Sequence, residues 1–142
     1  MAPRSDDLGI PPGTQLVRRL YDNWTCASSH GGERPTSESL TDSNLENSLY
    51  IVGAGESSVE ELQAIYPGAK FAVFTAGLFR ANKFAIERRP DEADPRVANP
   101  MAHVIAGPMD IAVGKVYERR ARTIVTDPSV IVIVPIANQK KS

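Results

Sequence analysis

The chain has 142 residues, 42% hydrophobic and 23% charged, and a net charge of −1 from 16 Lys and Arg against 17 Asp and Glu. That length suits one domain able to bury roughly two-thirds of its unfolded surface, and the composition is too apolar for a disordered chain. The charge balance excludes a general attraction to nucleic acid or anionic lipid.

Residues 1–13 (MAPRSDDLGIPPG) hold two acids and three prolines but no apolar stretch of a signal peptide, and are expected to form a flexible leader. One α+β domain is expected over 14–138, with a polar tail at 139–142. A strand at Gln15–Tyr21 places Leu16, Arg18 and Leu20 on one face, with Val17, Arg19 and Tyr21 on the other. Residues 22–47, rich in Ser, Thr, Asn, Asp, Glu and Gly, read as a long polar loop, and loops of this length tend to be functional or disordered. The loop holds the lone cysteine, Cys26, so no intramolecular disulfide forms and a cytoplasmic location is expected. In that compartment the sequon Asn23-Trp24-Thr25 is a chance match.

A buried strand follows at Leu49–Val52. Ser58-Val59-Glu60-Glu61 is a capping box, and Val59, Leu62 and Ile65 continue it as a helical stripe that Pro67-Gly68 ends. Strands are expected at Lys70–Thr75 and Lys83–Glu87, a charged prolyl loop at 87–100, and a strand at Ala102–Ala106. Met109 to Thr123 reads as a helix with Met109, Ala112, Val113, Val116, Arg120 and Ile124 on one stripe and Lys115, Glu118, Arg119 and Arg122 opposite. Ser129–Ile136 (SVIVIVPI) has the β-branched character of a strand buried on both faces. Its apolar run, Val130–Ala137, is about half the length a membrane helix requires, so no membrane association is expected. The order predicts a mixed sheet of five or six strands covered by two short-to-medium helices.

The motifs narrow the chemistry. Val52-Gly53-Ala54-Gly55-Glu56-Ser57-Ser58 has the start of a dinucleotide-binding turn, but its third glycine position is Ser58 and no acidic residue ends a second strand about twenty positions on. No cofactor is expected, and the two glycines shape a turn. Cys26, His30 and His103 are too few and too scattered for a zinc site, so no metal is expected. The basic face of the second helix lacks interleaved aromatic residues, which disfavours nucleic acid. His103 stands out inside an apolar strand: it is either a core histidine satisfied by a backbone carbonyl or an acid–base group facing a cleft. ERPTSESLTD, residues 33–42, offers Arg34 as an anion-binding fork with Ser37 and Ser39 as hydroxyl donors, or else a capped turn.

The run of LVRRLY, RPTSESLTD, SLYIV, FAVFTAGLFR and AHVIAG followed by a basic helix resembles a small uncharacterised bacterial protein family over residues 14–136. That family carries R-P-S-S before an aromatic residue and an aspartate. This chain departs from it with Leu40 at the aromatic position and a longer insertion at 88–98. The resemblance implies no activity, but it marks Arg34, Pro35, Ser37, Asp42 and His103 as site positions. An early arginine strand followed by a Ser/Thr-bearing loop and strand is also similar to NAD-using ADP-ribosyltransferase folds. That similarity implies Arg18 or Arg19 with Ser48 as nicotinamide-holding positions, while the late glutamate of those enzymes has no counterpart, Glu118 falling in a helix.

The expected function is therefore a small binding or accessory module, a protein-interaction or regulatory partner in a larger assembly. The alternative is an enzyme acting on a nucleotide-like anionic substrate. It would use His103 and Arg34 as catalytic groups, with Arg18, Ser37, Ser39 and Asp42 binding.

Overall fold

A computed structural model describes residues 5–40, 47–110 and 114–135. It shows the expected α+β class: a six-stranded sheet in the order β6-β7-β4-β1-β5-β8, a separate two-stranded hairpin β2-β3, and three α-helices. The strands are β1 Gln15–Leu20, β2 Thr25–Ala27, β3 Glu33–Pro35, β4 Asn47–Val52, β5 Lys70–Thr75, β6 Phe84–Arg88, β7 His103–Pro108 and β8 Ile131–Ile133. The helices are α1 Val59–Ile65, α2 Ala76–Ala81 and α3 Lys115–Val125. Every neighbouring pair in the six-stranded sheet is antiparallel. β4 and β5 run the same way with β1 inserted between them, so β4-α1-β5 is a split crossover.

Alternation along β1 and β4 divides the interior. Leu16, Leu20, Leu49 and Ile51 join Phe74, Phe79, Phe84, Tyr117 and Ile124 in the larger core, on the face covered by α2 and α3. Val17, Tyr50, Phe71 and Val73 face the other way, against Leu62 of α1 and Val97 and Ala102 of the 89–102 connection. Helix α3 buries Tyr117, Ala121, Ile124 and Val125, one step out of phase with the expected stripe, and Val116 is exposed. The helix begins only after Gly114, whose φ of 61° is a left-handed value, so Met109 does not take part in it. Residues 111–113 lie outside the described ones.

The Ser58 hydroxyl caps α1 by accepting from the Glu61 amide at 3.1 Å. The reciprocal half of the capping box is redirected: Glu61 accepts instead from the Ser57 hydroxyl at 2.7 Å and the Ala98 amide at 2.7 Å, which pins the 89–102 connection over the sheet. Gly53 and Gly55 shape the turn before α1, with φ of 146° and 78°. Of the run expected as a doubly buried strand, Ser129–Ile136, residue 136 lies outside the described ones; among those described, the strand is Ile131–Ile133 at the sheet edge, and Ile131 is 54% exposed.

Residues 5–13, expected as a flexible leader, are instead held to the fold. Ile10 is buried in the larger core. The Asp7 amide donates to the Ile86 carbonyl at 2.8 Å, and Gly77 donates to the Pro12 carbonyl at 2.8 Å. A side chain at Gly77 would meet that carbonyl at 3.2 Å. The Asp6 carboxylate accepts from the Ile86 amide at 2.9 Å and from Arg80 Nε at 2.8 Å, closing the outer edge of β6. Asp6→Ala leaves that amide and the partly buried guanidinium without these acceptors, and should cost about 1–3 kcal/mol. Asp6→Asn, which keeps an acceptor, should recover part of the loss in urea unfolding. Equal stability of Asp6→Ala and the native chain would contradict the edge-closing role.

Candidate functional site

The site is a fork between β1 and β4. β1 pairs with β5 over six residues, Gln15 to Leu20, but with β4 over only three, ending at Val17↔Tyr50. Beyond that pair the Arg18 side chain occupies the fork, 6% exposed. Its Nε donates to the Ser39 carbonyl at 2.7 Å and its Nη1 to the Ser48 carbonyl at 2.8 Å, and its guanidinium stands 5.1 Å from the Trp24 ring centroid. These charge-assisted bonds replace the backbone ladder that the diverging strands give up.

A cleft of ≈ 170 Å³ opens at this fork, lined by Arg18, Arg19, Tyr21, Trp24, Ser48, Tyr50 and Tyr66 among others. Arg19 is exposed, and its guanidinium lies 5.0 Å from the Tyr21 ring and 4.4 Å from the Tyr66 ring. Tyr66 is fixed from behind, its hydroxyl donating to Asp94 Oδ2 at 2.8 Å. Asp94 is bridged by Arg96 at 2.8 Å, and its backbone amide donates to the Tyr50 hydroxyl at 2.8 Å. The Arg96 guanidinium holds the Asp94 carboxyl well below the usual carboxylate range. Burial, reinforced by the Asp94 carboxylate, pushes the Tyr66 hydroxyl up, and burial raises Tyr50 likewise. Both phenols are therefore neutral, rigid walls.

Ser48 is the exposed residue of β4, and its Oγ lies 2.6 Å from Nε2 of His103 on β7. His103 is 2% exposed, packs against Tyr50 with ring centroids 5.1 Å apart, and has its Nδ1 2.7 Å from the Arg89 carbonyl. A carbonyl only accepts, so Nδ1 carries the proton, Nε2 is bare, and the Ser48 hydroxyl donates to it. The Arg89 amide also donates to the His103 carbonyl at 2.9 Å, so the ring is anchored through backbone and side chain together. Burial lowers the His103 pKa, against an opposing pull from the Arg89 carbonyl and the charges of Glu92 and Asp91.

The other sequence candidates lie elsewhere. Arg34 donates to its neighbour's carbonyl, Pro35, at 2.9 Å and lines a separate cleft with His30, Glu33 and residues following α3. Its strand packs beside β8, four strand spacings of about 4.8 Å from β7, or roughly 19 Å. The structure therefore does not bring Arg34 to His103. Ser37 lines a third cleft, ≈ 480 Å³, with Lys115, Glu118, Arg119 and Arg122 of α3. Ser39 is buried and turned inward, its hydroxyl donating to the Thr36 carbonyl at 2.7 Å, so it contributes its carbonyl to Arg18 and no hydroxyl to a ligand. Asp42 lies outside the described residues. Among the described residues no three His, Cys, Asp or Glu side chains gather into a set that could hold a metal ion, and no helix is long and apolar enough to cross a membrane.

Sequence reasoning had isolated His103 but not its partner. Ser48 and His103 are 55 residues apart, and only the β4–β7 register, Tyr50↔His103, makes them diagonal neighbours. Set against protein-family models, curated proteins and solved structures, the chain matches none of them.

Two outcomes test this geometry. Arg18→Met keeps the bulk but withdraws one donor from a buried carbonyl and one from a partly buried carbonyl, and should cost about 2–4 kcal/mol in chemical unfolding. An unchanged midpoint would show that the fork is not held by the guanidinium. His103 is neutral in the fold, whereas in the unfolded chain it protonates at its ordinary value of about 6.5. Its contribution to stability is thus full above that value and declines as pH falls below it. The native Tm should fall between pH 7 and 5, and His103→Gln should flatten the slope in that window. The depressed carboxylates, Asp94 among them, lose their contribution only at lower pH.

Proposed function

We propose that this chain is a small binding module whose ligand is anionic and flat, taken at the fork between β1 and β4. The observation that carries the reading is the placement of the exposed Arg19 guanidinium over Tyr21 and Tyr66, in the same cleft as the exposed Ser48 hydroxyl. Arginine supplies a fork of donors for a carboxylate or phosphate, and the rings offer a stacking surface. At ≈ 170 Å³ the cleft is smaller than the roughly 300–1,000 Å³ that drug-sized ligands occupy, so it takes a single ring or one anionic head at full depth. Nucleotide-like and aromatic acid ligands fit this description.

The enzyme reading takes an altered form, in which Ser48 rather than Arg34 stands beside His103. An accessory role toward a protein partner is a second reading. It is favoured by β8, a short β-branched strand at the end of the sheet, beside β3, with Ile131 exposed.

Isothermal titration against nucleoside monophosphates, inorganic phosphate and benzoate tests the first reading. Binding of at least one ring-bearing anion is expected, weakened about tenfold by Arg19→Gln, the worth of one charge-assisted contact. No heat and no thermal shift from any of them would sink the proposal. For the second reading, a stoichiometric partner lost on Ile131→Lys is expected, and repeated isolation of the chain alone counts against it.

A further inference from the structure

Of the two partners of the His103 ring, one is a backbone carbonyl and the other is the hydroxyl of an exposed residue. Because the Arg89 carbonyl takes the Nδ1 proton, the Nε2 lone pair is directed at Ser48 Oγ, 2.6 Å away. The three groups stand in the order nucleophile, base and orienting acceptor, each within hydrogen-bond distance of the next. A main-chain carbonyl here fills the place that a carboxylate holds in better-known serine enzymes, fixing the tautomer without adding a negative charge. Ser48, for its part, is held at both ends: its carbonyl by Arg18 and its hydroxyl by His103. An exposed serine on a central strand, fixed in this way, is positioned rather than merely accommodated.

We propose that Ser48 is a nucleophile, activated by His103, that takes an acyl group from small esters bound at the fork cleft. The proposal rests on the cleft being the binding site. Ser48 Oγ attacks the ester carbonyl carbon as its proton passes to His103 Nε2. The carbon–oxygen bond to the alcohol then breaks, and the departing oxygen takes that proton. Water, deprotonated by the same nitrogen, attacks the acyl-serine, releasing the carboxylic acid and returning the proton to Ser48. Arg19, exposed on the cleft wall, is the cation available to the oxyanion, since Arg18 is committed to two carbonyls. The groups set around His103 are Tyr50 and Ser48 from β4, Arg89 at the end of β6, and Asp91 and Glu92 from the following turn. The two acids partly offset the burial that keeps the ring neutral.

The test is reaction of the folded protein with diisopropyl fluorophosphate and with p-nitrophenyl acetate, read by intact mass and peptide mapping. A single adduct on Ser48 is expected, absent in Ser48→Ala and formed about 10²-fold more slowly in His103→Gln, the usual scale of general-base assistance. Circular dichroism reports whether each variant is folded. Should His103→Gln unfold, the native pH profile replaces it: the labelling rate should rise through one ionisation below pH 6.5 and then level off. A flat profile removes His103 from the reaction, and an unlabelled Ser48, or an equal adduct on Ser48→Ala, overturns the proposal. Arg19→Gln should weaken anion binding and also slow the labelling of Ser48, because the phosphoryl oxygen gains charge during attack. Anion binding without any Ser48 adduct would retire the nucleophile and leave the binding reading intact.

Discussion

A buried guanidinium between two diverging strands is the constraint on which the site depends. Arg18 lies on a strand that is otherwise zipped to β5 along its whole length, and its side chain occupies the place where pairing with β4 stops. One residue thereby ties three segments: β1 by its own backbone, β4 through the Ser48 carbonyl, and the turn at 37–40 through the Ser39 carbonyl. Lysine could not take its place, because a single ammonium lacks the planar, separately directed donors that reach both carbonyls at once. The cleft and its lock therefore have a common cause. If the fork closed into a regular ladder, Arg19 and Ser48 would become ordinary cross-strand neighbours on a flat surface.

Adjacent residues of β4 show how alternation distributes polar work. Asn47 points into the larger core, where its amide donates to the Ala106 carbonyl at 3.0 Å and to the Tyr117 hydroxyl at 2.9 Å, joining α3 to the sheet. Ser48, one residue on, points to the opposite face and meets His103. Both are polar groups that cost free energy unless partnered, and the Asn47 amide nitrogen and the Ser48 hydroxyl find their partners 55 to 70 residues away along the chain. They differ in exposure, and exposure decides their meaning. Asn47 is fully buried and spends its donors on structure, whereas the Ser48 oxygen donates its proton inward and presents lone pairs to solvent.

Much of the fold was legible because local rules and tertiary context agree. The Ser58 cap, the Pro67-Gly68 stop and the apolar alternation of Lys70–Thr75 all appear where periodicity and turn chemistry place them. The failures have separate physical origins. Ile131–Ile133 reads as a central strand because β-branched residues suit any strand, and composition does not encode whether a further neighbour exists. The α3 stripe was misread because Tyr117, amphipathic and buried with its hydroxyl satisfied by the Leu40 carbonyl, was not counted as apolar. For the site, His103 was visible as a polar residue in an apolar strand. Its partnership with Ser48 depends on strand register, and the separation of Arg34 from His103 depends on strand order, neither of which local composition encodes.

The two faces of the sheet are covered unequally, and this explains why the fork cleft opens where it does. The face under α2 and α3 carries the larger core, closed by a run of aromatic contacts from Phe74 through Phe79 and Phe84 to Tyr117. Its clefts lie at the rim, along the outer side of α3 and beside the chain that follows it, rather than within the core. The other face has only the seven-residue α1 and the 89–102 connection, which must be held down by polar devices: Glu61 on the Ala98 amide, Arg88 on the Met101 carbonyl, and Tyr66 on Asp94. Such bonds direct side chains without filling volume, so the end of this face beyond α1 remains open. Ser48 and Arg19 stand at that end because alternation sends them there, and His103 reaches it from beneath the same connection. The fork cleft opens on the thinly covered face, and the polar bonds that compensate for its missing core are what keep the walls of that cleft in place.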